Sequence, residues 1–552
     1  MKNYYLTPHN VFKTIVFSVF LALLKPVAYS QPFLVKDIAT GSESAFQYGS
    51  PNPVALNGKL IFVAYVTAKG SELWVSDGTA AGTKMLKDIR VGSTDAGIRN
   101  LYASGNYVYF FANDGTHGNE VWRTDGTATG TILIQDIAPG TTDGIYSASY
   151  SQIGFPTDSA FYFIGYEPVR ALYVTHGQPG DVVMIRESSA LQDIVANWNG
   201  EVVFTEYSSG SNYKAELWKT DGTPQGTSRF KEQIVSFSGI STYFIPMGDQ
   251  LLFVMGTPNE GWELWQSDGT PDGTTLVKDV APGSASAIQN SWTPVYRWNN
   301  AVYFIAFPGT KGQELWKSDG TESGTVLVKT LPDRYEFLAA GVGRLEMATL
   351  GDELVFTAFN ETNGYRDLWK TDGTEAGTVM LASQQNGTYL SPGFLTAVGA
   401  KVFFAGGIAN KGRELCQTDG SVAGTGLLAD IYSGGSGSEP ARFTVVDSVL
   451  YFSANQSATG YELYKYVVPA VSVSTLANTN THIKILPNPA NGLLTLNAEE
   501  SIRNLSIYTA AGALQLHRTP NSRRYTLSVQ NWPDGVYFVH ADAAVYRLLV
   551  QH

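Results

Sequence analysis

Short apolar runs, not helically spaced ones, dominate this chain. Ala301-Val302-Tyr303-Phe304-Ile305-Ala306 is β-branched and aromatic, which predicts a buried strand. Runs of this kind place a phenylalanine at 62, 110, 163, 204, 253, 304, 356, 404 and 452, a mean spacing of about 49 residues. About six residues before each stands an apolar residue and a turn signal, as in Leu56-Asn57-Gly58, Trp198-Asn199-Gly200 and Trp298-Asn299-Asn300. That spacing predicts a strand and a tight hairpin into the Phe strand. Next comes Glu72-Leu73-Trp74-Val75-Ser76-Asp77-Gly78-Thr79, then Gly82-Thr83. The unit recurs with Trp at 122, 218, 265, 316 and 369. Cys416 takes the Trp place in a seventh copy, and Ala171–Gly177 and Glu462-Leu463-Tyr464 are worn copies. A last run, Met85–Ile89, is echoed at Leu133–Ile137, Leu276–Val280 and Leu427–Ile431. Four antiparallel strands in about 49 residues is one propeller blade.

The array opens with the last strand of a unit, Leu34–Ile38, and closes with the first three strands of one, ending at Glu462–Tyr466. The two ends make one blade, which predicts a closed ring of nine and no exposed edges. Two smaller rings, or eight blades, are the alternatives, because nine blades are rare; residues 167–190 and 228–241 depart from the pattern in the third and fourth blades. The Glu-Leu-Trp-x-x-Asp-Gly-Thr units resemble the ELWxxDGT repeat family of bacterial surface and secreted proteins over residues 34–466. That family is defined by its repeat and not by a reaction.

The two ends of the chain read differently. Residues 1–30 hold Lys2, Lys13 and Lys25 and no acid, with an apolar run from Ile15 to Leu24. Ala28-Tyr29-Ser30 follows, the small-residue pattern of a signal-peptidase site, so a mature chain is expected from Gln31. After residue 466, positions 467–481 are rich in Ala, Ser, Thr and Asn and read as a linker. Residues 482–552 alternate over short segments and predict a small β-sandwich. Within it, Pro487-Asn488-Pro489 with Gly492, then Gly512, then Gly535-Val536-Tyr537 and a final strand are similar to the type A C-terminal sorting domain of the type IX secretion system. The resemblance implies passage across the outer membrane, removal of the tail by a sortase-like peptidase, surface attachment or release, and a Bacteroidota source. The expected organisation is therefore 1–30 signal peptide, 31–466 propeller, 467–481 linker and 482–552 sorting domain.

Composition narrows the chemistry. With 27 Phe, 30 Tyr, 11 Trp and 56 Gly, the chain suits strands and turns, not disorder. Its net charge of −12 argues against a nucleic-acid partner. One cysteine excludes an intrachain disulfide and a CxxC zinc site, and no later apolar run reaches the length of a membrane helix. No cofactor and no metal are expected.

The repeated acids Asp77, Asp125, Asp221, Asp268, Asp319, Asp372 and Asp419 each offer one carboxylate, where a calcium loop clusters several oxygens. They read as turn caps. The repeated Glu reads as a cross-strand or loop partner, and the repeated Trp as packing between blades. Strand direction alternates, so the Asp-Gly-Thr and Asn-Gly turns share one face of the ring. The loops of the other face vary most and carry the candidate ligand contacts. These are His117, Trp262, Trp292, Tyr365 and Arg366, with Glu167, Arg170 and Tyr207 on the same face. No GxSxG, P-loop or Ser/His/Asp spacing marks a catalytic centre. The expected function is a non-catalytic binding or adhesion module for glycan or protein. The alternative is a propeller-based polysaccharide lyase or glycosidase.

Overall fold

A computed structural model describes residues 31–47, 49–145, 153–166, 169–208, 213–235, 240–288, 295–308, 312–331, 345–360, 365–383, 390–469, 483–487, 490, 492–509, 514–530, 532, 535–542 and 544–550. The expected signal peptide and nearly all of the expected linker lie outside these residues. So do Glu167, Trp292, Asn488, Pro489 and Gly512.

The described residues form strands and no helix. Residues 33–467 build nine four-stranded antiparallel sheets. The first blade is Val54–Leu56, Lys59–Val66, Gly70–Ser76 and Lys84–Lys87, from the axis outward. Its hairpin turn has positive φ at both Asn57 and Gly58, the geometry an Asn-Gly pair favours. The third and fourth blades keep all four strands despite their irregular sequence, with Val183–Glu187 and Ser228–Ile234 outermost.

The ninth blade closes the ring. Phe33–Lys36 pairs with Gly460–Val467, setting Phe33 opposite Lys465 and Leu34 opposite Tyr464. The inner strand Ala441–Val446 of this blade touches the inner strands of the eighth blade and of the first. The array is thus one ring of nine.

All nine repeat phenylalanines are fully buried. Each lies across the strand from the repeat aromatic or its replacement, as Phe62 from Trp74, Phe163 from Tyr173, Phe404 from Cys416 and Phe452 from Tyr464. Ring centroids of these pairs stand 5.4 Å apart for Phe163–Tyr173 and 6.4 Å for Phe62–Trp74, the range in which aromatic pairs attract. The indoles also join neighbouring blades. Trp122 of the second blade packs with Leu56, Ile61 and Leu73 of the first. Cys416 is buried in the same position and its thiol is pushed up to about 12 by burial, so it behaves as a small apolar filler.

A lysine of the outer strand ties each of several blades to the next. Lys36, Lys87 and Lys278 donate to the carbonyl oxygens of Thr83, Thr131 and Thr325, at 2.7, 2.7 and 2.9 Å.

The C-terminal residues form a sandwich. A three-stranded sheet holds Ile483–Leu486, Leu493–Ile502 and Ser522–Ser528, and a four-stranded sheet holds Leu505–Thr509, Leu514–Arg518, Gly535–Ala541 and Ala544–Val550. Ile485, Leu494 and Leu496 of the first meet Ile507, Val539 and Leu548 of the second in one core.

Candidate functional site

The face that carries the Asp-Gly-Thr turns is closed upon itself. Asp77 Oδ1 accepts from Thr79 N at 2.8 Å and from Thr79 Oγ1 at 2.7 Å. Gly82 N donates to Thr79 Oγ1, and the hydroxyls of Ser76 and Thr83 meet at 2.7 Å. The same network surrounds Asp125, Asp221, Asp268, Asp319 and Asp372, and Ser421 replaces the threonine beside Asp419. Bonds from the neighbouring threonine hold Asp77, Asp268, Asp319 and Asp372 below the usual carboxylate range. These acids cap their own turns. Among the described residues, no three His, Cys, Asp or Glu side chains gather as a metal ion would require.

The opposite face is organised by the repeated glutamate. Glu72, Glu120, Glu263, Glu414 and Glu462 are fully buried. Each carboxylate accepts backbone N–H groups of the loop that leaves its blade. Glu120 takes those of Ile137 and Gly144 at 3.0 and 2.8 Å. Glu414 takes Ile431, Tyr432 and Ser438 at 2.9, 3.1 and 2.8 Å, plus the Ser438 hydroxyl at 2.6 Å. Glu462 takes Ile38 and Ala39, both at 2.9 Å, and so also clasps the N-terminal segment. In these five blades the loop, of the two partners expected for this glutamate, is the one used. The fourth and sixth blades depart: Glu216 and Glu314 instead accept from the indoles of Trp218 and Trp316, and Glu216 also takes the Arg229 guanidinium of the adjacent strand at 2.8 Å.

On this second face a cavity of about 710 Å³ opens where the eighth, ninth and first blades meet. Phe394, Arg413, Glu439, Arg442, Tyr461 and Phe46 line it. Two register breaks shape its wall. The inner strands slip between Gly393 and Thr396 and between Ala441 and Thr444. Phe394 and Arg442 sit in these bulges with φ of 61° and 57°, and Ser391 and Glu439, three residues earlier in each case, have φ of 38° and 48°. Bulges re-aim side chains, and non-glycine residues with such φ are strained. Phe394 is 43% exposed. The Arg442 guanidinium donates to the carbonyls of Gln47 at 2.9 Å and Ser50 at 3.3 Å, so it is held rigidly across the seam. Arg413 donates to Ser391 O at 2.8 Å and stands 3.9 Å from the Glu439 carboxylate. Burial lowers both guanidiniums from their ordinary value and raises Glu439.

Among the described residues, those expected at a ligand site lie in different blades. His117 belongs to the second blade, where its Nδ1 lies 2.7 Å from Asp114 Oδ2 of its own loop, a bond that raises the imidazole. Trp262, in the fifth blade, is half-buried and donates its backbone N–H to Ser286 Oγ at 3.1 Å. Tyr207 uses its hydroxyl to bridge the N–H and carbonyl of Ile240. Arg170 stacks on Tyr166 with the guanidinium 4.7 Å from the ring centre. In the seventh blade Tyr365 is exposed and Arg366 is buried, close enough to Glu346 and Arg413 for their charges to act on it. Arg366 and Arg413 each precede the acid of the repeat in their blades, a signal in the sequence that leads to the cavity wall at Arg413. In the tail, Gly492 and Gly535 border strands and Tyr537 is buried in the sandwich core.

Residues 484–548 match the secretion system C-terminal sorting domain family. The chain therefore carries a type IX sorting tail and is a secreted or cell-surface protein. No curated protein sequence matches the chain. Among solved structures, the chain is similar to PorZ, a bacterial surface component of the type IX secretion system of Porphyromonas gingivalis, with 11% identity over 96% of this chain and 83% of that one and a TM-score of 0.24. It is similar also to the β-propeller domain of the Trilobed protease from Pyrococcus furiosus, with 12% identity, 61% and 98% coverage and a TM-score of 0.32. A puromycin-hydrolysing peptidase of Mycobacterium tuberculosis aligns at 13% identity, 85% and 62% coverage and a TM-score of 0.37.

Proposed function

We propose that this protein is a non-catalytic binding module of the ELWxxDGT repeat type, delivered to the cell surface or medium by type IX secretion. The observation that supports binding is the cavity at the seam of the eighth, ninth and first blades. It gathers two arginines, a glutamate and aromatic rings that the repeat does not require, on the face whose loops vary. The repeated residues are already accounted for by turns, clasps and packing. The signal peptide is removed before Gln31, and a sortase-like peptidase removes the tail after passage across the outer membrane of a Bacteroidota cell. The propeller of residues 31–466 and the domain of 482–552 fold separately across the small polar linker.

A glycan array on the purified full chain, beside a reducing-sugar release assay, tests the reading. Binding without release of reducing ends is expected. Release of reducing ends would replace it with an enzyme. Deleting 482–552 should leave a β-rich protein in the periplasm, and arrival of the truncated chain at the surface would remove the role given to the tail.

A further inference from the structure

The cavity between the eighth, ninth and first blades has a definite chemistry, and this step rests on the binding reading above. We propose that it takes a carboxylate-bearing sugar, such as a unit of a uronic acid polymer.

Four observations carry the inference. The cavity is an open cleft whose volume, about 710 Å³, falls in the range of small-ligand sites. The charged lining is two arginines against one glutamate, on a chain of net charge −12. A positive cavity in an acidic protein is a local device, because the field of the whole chain repels anions.

The third observation is the slack in the Arg413–Glu439 contact. Its 3.9 Å separation compares with 2.6 Å for Arg186–Glu206 and 2.7 Å for Lys370–Glu353. Arg413 is anchored through Nη1 to Ser391 O, while its Nε edge holds Glu439 only loosely. A ligand carboxylate can make the close, forked contact that Glu439 does not. The glutamate then accepts from hydroxyl groups of the same ligand.

The fourth is Phe394. The bulge that turns it into the cavity costs the chain a left-handed residue with a Cβ, yet it leaves Phe394 43% exposed. Phe443 lies behind it at 5.9 Å between centroids and supports one side. A pyranose offers an apolar face to such a ring, a carboxylate to Arg413 and hydroxyl donors to Glu439. A run of acidic side chains offers Glu439 no hydroxyl donors and Phe394 no apolar ring face, so the sugar is the better match.

Calorimetric titration of the full chain tests this with three probes: an oligogalacturonate, the same oligomer fully methyl-esterified, and a poly-glutamate peptide. The oligogalacturonate should bind, and the ester should bind at least about tenfold more weakly, as for loss of a charge-assisted hydrogen bond. Arg413→Gln and Phe394→Gly should each weaken oligogalacturonate binding by at least about tenfold. Glycine relieves the left-handed backbone at 394, so an unchanged melting temperature separates lost binding from lost folding. Equal binding of the ester would overturn the carboxylate assignment and leave the binding reading standing. Equal or tighter binding of poly-glutamate would overturn the sugar. Full affinity in both variants would overturn the cavity as the site, and no binding of oligogalacturonate would overturn the proposal outright.

Discussion

The two faces of the ring hold their loops by opposite means. On the Asp-Gly-Thr face each turn closes on itself within about seven residues, as between Ser76 and Thr83, and the lysine of a neighbouring blade only adds to a turn already formed. On the other face a buried carboxylate reaches 17 to 24 residues along the chain, as from Glu120 to Ile137 and Gly144. A local turn specifies its own shape and leaves nothing to vary. A clasp specifies only where a loop begins and ends, so its middle is free to change in length and composition. The repeat therefore makes one face uniform and the other adaptable, and the cavity lies on the adaptable one.

The largest effect is expected where the clasp is removed. Glu414→Ala strands the N–H groups of Ile431, Tyr432 and Ser438 in a buried setting. At roughly 1–3 kcal/mol for each buried unsatisfied group, a loss of about 3 kcal/mol or more is expected by guanidinium unfolding. A loss below about 1 kcal/mol would make the clasp ornamental.

On the first face, Gly324→Ala should cost about 1–3 kcal/mol, because the added Cβ overlaps the Asp319 carboxylate and breaks the cap. Asp319→Ala deletes the cap without a clash, and its partners reach water, so it should cost no more than about 1 kcal/mol. Reversal of that order, measured in the same titration, would mean that the carboxylate and not the close approach holds the turn.

The faces also carry opposite pH signs. Burial raises Glu72, Glu120 and Glu462 to about 7 and Glu263 to about 8 from an ordinary 4.5. The folded chain thus binds these protons more tightly than the unfolded chain, and the stability they contribute is complete below pH 4.5 and lost as pH rises through 7 to 8. The turn aspartates are lowered from 3.8, so their contribution is present above that pH and lost as pH falls below it. Melting temperature should fall from pH 5 to pH 9, and Glu263→Gln should make the slope shallower. A melting temperature that climbs across that range would contradict the burial of these glutamates in their charged-averse setting.

The ring was legible in the sequence because its signals are local. Nine phenylalanines at one strand position mark nine blades, and the complementary ends at Leu34–Ile38 and Glu462–Tyr466 announce closure. The same reasoning placed the aspartates in turns and the indoles between blades. The clasp was half legible. A glutamate repeated beside an apolar strand needs a partner, but its partners are backbone N–H groups of Ile137 or Ser438, which leave no mark in side-chain identity. The cavity was missed because it depends on two slipped registers. Whether Phe394 and Arg442 face the cavity is decided by the bulges at 393–396 and 441–444, and a bulge shifts a side chain without changing the alternation around it. His117, chosen for its chemistry, proved to be satisfied by Asp114 three residues away.

The seam at Phe33–Lys36 also sets a clock. Ile38 lies in the opening strand's segment of the ring, and Glu462, which takes its N–H, follows 424 residues later. At roughly 5–20 residues per second of synthesis, the opening strand is made about 20–85 seconds before its mate. Through that interval the first blade has no ninth beside it, and the last link of the circle is among the latest contacts to form. A chain cut short anywhere before Gly460 stays an arc with a bare strand at each end.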